Sequence, residues 1–303
     1  MCIDRSKDLV ALSLNRINAF LLALAALLAV LLWRGTEPST SADEPGRLLA
    51  NLTPEEIDQL TISTADKENI TLVRHGDGWQ LQTPYTQPAS KLKVEALLAM
   101  VSAPVYERFT PTGMEHQQFQ RDGAEVTISF ADSRFVFGRR SPVGQRRYGF
   151  SDGDVVLIND FYFHHANSRW VDWVANRLLS EQSRLTRIEL PGLVIHNTQQ
   201  GWQVQGDQPL ELDQSQLNAL AQRWQHLHTM GAIPLPDGSE FGALPKIRLD
   251  WVDSGSGERQ ELTLFWLEQG GDFGLLCPQR GVAHQLEPEL AKQLLPETPT
   301  PSP

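Results

Sequence analysis

The sequence predicts an α+β protein: an N-terminal transmembrane helix followed by two tandem homologous domains, each an antiparallel sheet packed with one or two helices. Three observations lead there. Residues 17–33 form an uncharged apolar run; a long stretch recurs at one constant offset, which carries Gly78 onto Gly201; and each copy sets short period-two runs and turn residues ahead of one run of helical spacing. A length of 303 residues fits about two domains. With 41% apolar and 21% charged residues the chain has the composition of a folded protein. Its 37 acidic against 26 basic residues leave a net charge of -11, which repels phosphate backbones, so nucleic acid is not an expected partner.

Residues 1–16 carry Arg5, Lys7 and Arg16 and are expected in the cytoplasm. The run from Ile17 to Trp33 would reach about 25 Å as a helix, enough for a short single span, with Trp33 in the interfacial belt. An uncleaved anchor fits better than a signal peptide, because the small residues Thr40 and Ala42 lie far beyond the apolar run. The bulk of the chain would then be periplasmic, held to membrane lipid at the inner membrane. Ala19, Ala23 and Ala26 share one helix face that could admit a partner helix, although alanine is also common in such spans. Cys2 precedes the apolar run, so it is not a lipid-attachment site, and the membrane would separate it from Cys277.

Residues 34–52, with Pro38 and Pro45, read as a linker, and 296–303, with four prolines, as a disordered tail. Between them lie the copies, 53–180 and 181–295. Gly78, Trp79, Gln80, Leu81, Gln82 recurs as Gly201, Trp202, Gln203, Val204, Gln205, and the same offset maps Leu72 onto Ile195 and Leu97 onto Leu220. Copy one opens with runs at Leu60–Ser63 and Ile70–Arg74, a turn at Gly76–Gly78 and a third run from Trp79 to Gln82, which predicts an antiparallel meander. After a spacer with Pro84 and Pro88, the apolar spacing from Ala89 to Val101 predicts a helix. Strands are expected at 126–130, 135–138, 147–150 and 155–158, then a helix carrying Trp170, Val171, Val174 and Leu178. Copy two repeats the plan, with Asp213 as helix N-cap, strands at 247–252, 261–267 and 273–276, and a final helix from Glu287 to Leu295. Gly78, Trp79, Gly201 and Trp202 are expected to be structural anchors, because a small sheet packed on one helix needs a large aromatic beside its turn.

This order of elements resembles the bacterial domain-of-unknown-function family 4340. The likeness rests on the Gly-Trp-x-Leu strand, the Pro spacer, the Gly113-Met114 turn, the Phe-x-Phe-Gly strand at 135–138 and the helix running into Arg177, Leu178 and Leu179, and it covers nearly all of 53–295. Copy two lacks the Phe-x-Phe-Gly strand. The resemblance implies a single-span envelope protein and an extracytoplasmic accessory module. Some members occur beside auxiliary subunits of gliding-motility-type ABC transporters, so membrane proteins of that kind are the implied partners. It implies no catalytic residue.

The sharpest motif is G-x-S-x-G at Gly149–Gly153, the nucleophile-elbow pattern, which requires a strand-to-helix turn. Here strands flank it, so Ser151, Asp152 and Gly153 read as a hairpin turn. The equivalent place in copy two is Cys277, Pro278, Gln279, Arg280, Gly281. His164 and His165, near Asp160 and Asp172, would diverge on an extended segment, and His226 and His228 would diverge on a helix. Arg139, Arg140, Arg146 and Arg147 are the one basic concentration, suited to lipid phosphates or an acidic partner if they are not a solvated loop. No cofactor or metal site and no enzymatic activity are expected. The expected function is a periplasmic, non-catalytic interaction module, an accessory component of an ABC-type transport or envelope-assembly complex. The alternative is an envelope binding protein for a small molecule or glycan in a groove between the repeats. A serine hydrolase using Ser151 ranks third.

Overall fold

The computed structural model describes Gly46, Leu48 and residues 52–295, apart from 112–114, 121–124, 131, 206–211 and 237. The expected membrane helix at 17–33, most of the linker and the tail at 296–303 lie outside the described residues. No helix among the described residues is long and apolar enough to cross a membrane.

Copy one supplies β1 (Gln59–Thr64), β2 (Ile70–His75), β3 (Gly78–Thr83), β4 (Gln87–Ala89), β5 (Glu107–Phe109), β6 (Val126–Phe130), β7 (Ser133–Arg140), β8 (Arg146–Ser151) and β9 (Asp154–Asn159). They form one antiparallel sheet in the order β4-β3-β2-β1-β6-β7-β8-β9-β5. Copy two supplies β10 (Ser183–Leu190), β11 (Leu193–Thr198), β12 (Gly201–Val204), β13 (Gly231–Pro234), β14 (Lys246–Asp253), β15 (Arg259–Gln269), β16 (Asp272–Cys277) and β17 (Val282–Leu286), in the order β12-β11-β10-β14-β15-β16-β17-β13. Omitting β4, the two orders are the same. In both, the opening strand pairs with the second and also with β6 or β14, while the short strand that follows the helix, β5 or β13, lies at the far edge.

Alternation explains the sheets. Leu60 and Ile62, Ile70 and Leu72, and Trp79 and Leu81 turn inward from β1 to β3, as Ile247, Leu249 and Trp251 do from β14. Helix Lys91–Leu98 buries Val94, Leu97 and Leu98 against β3, and helix Gln214–Gln225 buries Leu217, Leu220, Ala221 and Trp224 against β10 and β12. The Trp224 indole N–H donates to the Leu294 carbonyl at 3.0 Å, which ties the C-terminal turn to that helix. Both sheets lie in one compact unit, Arg47–Pro303, and share one apolar core.

The expected fold class needs correction. The chain is mostly β, two antiparallel sheets of nine and eight strands, with short helices as a minor cover. The expected meander and the later strands of each copy are not separate parts, because β1 and β10 sit mid-sheet and join them. The helix expected over 89–101 is α-helical only at Lys91–Leu98. Ala89 before it is spent on β4, and Ala99–Ser102 after it is a 3-10 turn. The expected helix around Trp170 is a 3-10 turn, Trp170–Trp173, closed by Asp172 accepting from the Arg169 N–H. Val174 then runs extended and bridges Ala89. Apolar residues three apart satisfy a 3-10 turn as well as an α-helix, and the sequence does not separate them. The last helix shrinks to Pro288–Ala291.

Candidate functional site

The tandem sheets meet along a seam, and the seam holds a cavity of about 550 Å³. That volume falls within the range of roughly 300 to 1,000 Å³ usual for ligand pockets. Copy one lines it with residues at the ends of β2 to β4, including His75, Trp79 and Gln87, and the connector between the copies adds Ala175, Asn176, Arg177 and residues 179–183. Copy two contributes Trp251 and Asp253 of β14, and Gln279 and Arg280 from the 3-10 turn between β16 and β17.

That turn is where the copies differ. In copy one, β8 and β9 are joined by Asp152 at φ 53° and Gly153 at φ 85°, a tight left-handed hairpin turn. In copy two the link is Pro278–Arg280, ended by Gly281 at φ 62°. The longer link carries Arg280 into the seam. Its Nη1 donates to the Leu178 carbonyl at 2.7 Å, and its own carbonyl accepts from Gln87 Nε2 at 3.3 Å. Arg280 is 7% exposed, makes no ion pair among the described residues, and has its pKa pushed down by burial. Gln87 is 1% exposed, and its Oε1 lacks a hydrogen-bond donor.

Most neighbouring charges are paired, while Asp77 lines the cavity with no ion pair among the described residues. His75 Nε2 lies 3.2 Å from Asp253 Oδ2, while Asp253 Oδ1 accepts from the Ser256 and Gly255 N–H groups at 2.9 and 3.0 Å. The Ser256 bond leads in holding the Asp253 carboxyl below its usual range; burial opposes it, and the bond from His75 helps. Arg177 pairs with Glu181 at 2.7 Å and donates through Nε to His228 Nε2 at 3.1 Å, and Lys91 lies 3.9 Å from Glu95.

The other candidates take different positions. Trp79 and Trp202 are buried, Gly78 and Gly201 open their strands, and Trp79 has the Arg74 guanidinium 4.8 Å from its ring centre. Two of the four arginines meet on Asp160. Arg147 is buried, with Nε 2.6 Å from Asp160 Oδ1, Nη1 on the Gly138 carbonyl at 2.8 Å, and its guanidinium over the Phe163 ring. Arg140 reaches the other Asp160 oxygen at 3.3 Å, Arg146 stacks on Tyr106, and Arg139 is exposed. Ala19, Ala23 and Ala26 lie outside the described residues. Ser151 ends β8, is 1% exposed, and donates to Asp152 Oδ2 at 3.3 Å. His164 and His165 lie on helix Phe161–Ala166 rather than an extended segment, and His226 caps its helix, leaving His228 beyond it. Among the described residues no three His, Cys, Asp or Glu side chains are grouped to hold a metal ion.

Sequence reasoning did not pick out Gln87, Trp251, Asp253 or Arg280 as site residues. A signal was present for Arg280: a longer link in copy two where copy one has a two-residue turn.

A family model described as Domain of unknown function (DUF4340) matches residues 79–237, from Trp79 of copy one to beyond the helix of copy two, and so crosses the seam. No curated protein and no solved structure matches the chain.

Proposed function

Because the chain belongs to the DUF4340 family, we propose that it is a non-catalytic binding protein that receives a small ligand in the groove between its two repeats, and that the apolar run 17–33 holds it at the outer face of the cytoplasmic membrane. The observation that carries this reading is the cavity at the seam, which both copies line, with the buried Arg280 among the lining residues. Ser151 supports a binding role over hydrolysis, since its buried hydroxyl stands in a β-hairpin and not on a strand-to-helix elbow. The test is a thermal-shift screen of the full chain in mild detergent against small polar metabolites, with hydrogen exchange to map each hit. Protection over 75–91, 175–183 and 251–280 is the expected result. Hits that protect only other regions, or no hits, would remove the proposal.

A second reading, an accessory subunit of a transport or envelope-assembly complex, is favoured by one observation. Edge strand β13 carries Ile233, 47% exposed, next to Met230, 66% exposed. A partner strand could add there. Mild-detergent co-purification at native expression tests it, and recovery of the free chain alone would count against it.

A further inference from the structure

Resting on the groove reading, we infer that the ligand is a monoanionic carboxylate whose acid group sits on Arg280. The argument starts from charge. Among the basic groups lining the cavity, Arg177, Lys91 and His75 each face a carboxylate and His228 accepts from Arg177, whereas Arg280 is more than nine-tenths buried and faces no carboxylate among the described residues. A buried cation without a counter-charge is costly, and a ligand that brings the missing charge removes that cost. Among the described residues the Leu178 carbonyl is the one acceptor holding the guanidinium, so donors remain for a second partner.

The form of the ligand follows from the same groups. Arg280 supplies one positive charge while Asp77, Glu181, Asp253 and Glu261 also line the cavity, a balance that suits a single carboxylate better than a phosphate dianion, and the planar guanidinium suits two parallel bonds to carboxylate oxygens. Gln87 Nε2 donates to the Arg280 carbonyl, which holds the turn that carries the guanidinium. Trp79 and Trp251, each 5% exposed, add apolar surface for the rest of the molecule.

The experiment titrates the full chain in detergent with D-glucuronate, L-lactate and N-acetyl-L-alanine, each against its methyl ester, and reads tryptophan fluorescence and heat. At least one acid should bind tighter than its ester by roughly tenfold to a hundredfold, and Arg280→Met should abolish the gap. If Arg280→Met does not fold, the ratio in the unaltered chain decides the matter. Esters that bind as well as their acids overturn the assignment while leaving the groove as a binding site. Silence across both series, alongside metabolite hits mapped to the groove, also overturns it, and silence in both experiments removes the groove reading as well.

Discussion

His284 shows how a single side chain couples this fold to pH. It sits on β17, 1% exposed, with neither ring nitrogen hydrogen-bonded, and burial, helped by the Arg280 charge, pushes its pKa down to about 3. The folded chain therefore holds the imidazole neutral while the unfolded chain takes up a proton below about 6.5. The stabilising contribution is complete above that value and is lost as pH falls toward 3. Between pH 7 and pH 5 the loss from this group is about 2 kcal/mol. Asp253, whose pKa is also depressed, adds almost nothing between pH 7 and pH 5 and acts only below about pH 4. In His284→Leu, urea midpoints at pH 7 and pH 5 should move together much more closely than in the unaltered chain, and at pH 7 the variant should be at least as stable, since two unsatisfied nitrogens are gone. An unchanged acid loss in the variant would show that other groups carry it.

The equivalent helices of the two copies are begun by different means. Asp213 accepts from the Gln216 N–H at 2.8 Å and Gln216 returns the bond to the Asp213 N–H at 2.8 Å, a complete capping box. Ser90, at the start of Lys91–Leu98, makes no capping bond with its side chain, and that helix is one of eight residues against twelve. Asp213→Ala should cost about 1 kcal/mol of stability and Ser90→Ala much less, read from denaturant midpoints. Equal losses would contradict the assignment. The same elements show what the sequence reveals. Strands from β1 to β3 and from β14 to β16 were legible because one face is buried and the alternation is clean. The Asp213 cap was legible because capping is local. The short helices were overextended because 3-10 turns and α-helices share an apolar spacing. β4, β5 and β13 were missed because strands of three or four residues at a sheet edge carry little pattern of their own. The groove was hidden for a different reason. Gln87 and Arg280 stand 193 residues apart, and only the pairing of the sheets brings them together.

At the scale of the whole molecule, the copies are bound through backbone as well as side chains. The Leu178 N–H donates to the Leu227 carbonyl at 3.1 Å and the Thr229 N–H to the Asn176 carbonyl at 2.6 Å, while His75 and Asp253 close the seam from opposite sheets. With one apolar core running through both sheets, the two should not unfold independently. Tryptophan fluorescence and far-ultraviolet circular dichroism should report coincident denaturation of residues 47–303, and two separated transitions would refute this.

The extra length of the β16–β17 link has a final consequence. Had two identical subunits associated about a twofold axis, each polar group at their junction would occur twice, and a lone cation would be impossible. Fusion into one polypeptide frees the design from that symmetry, so one half can acquire a guanidinium that the other never had, and a lopsided molecule can be held in a scaffold that otherwise repeats itself.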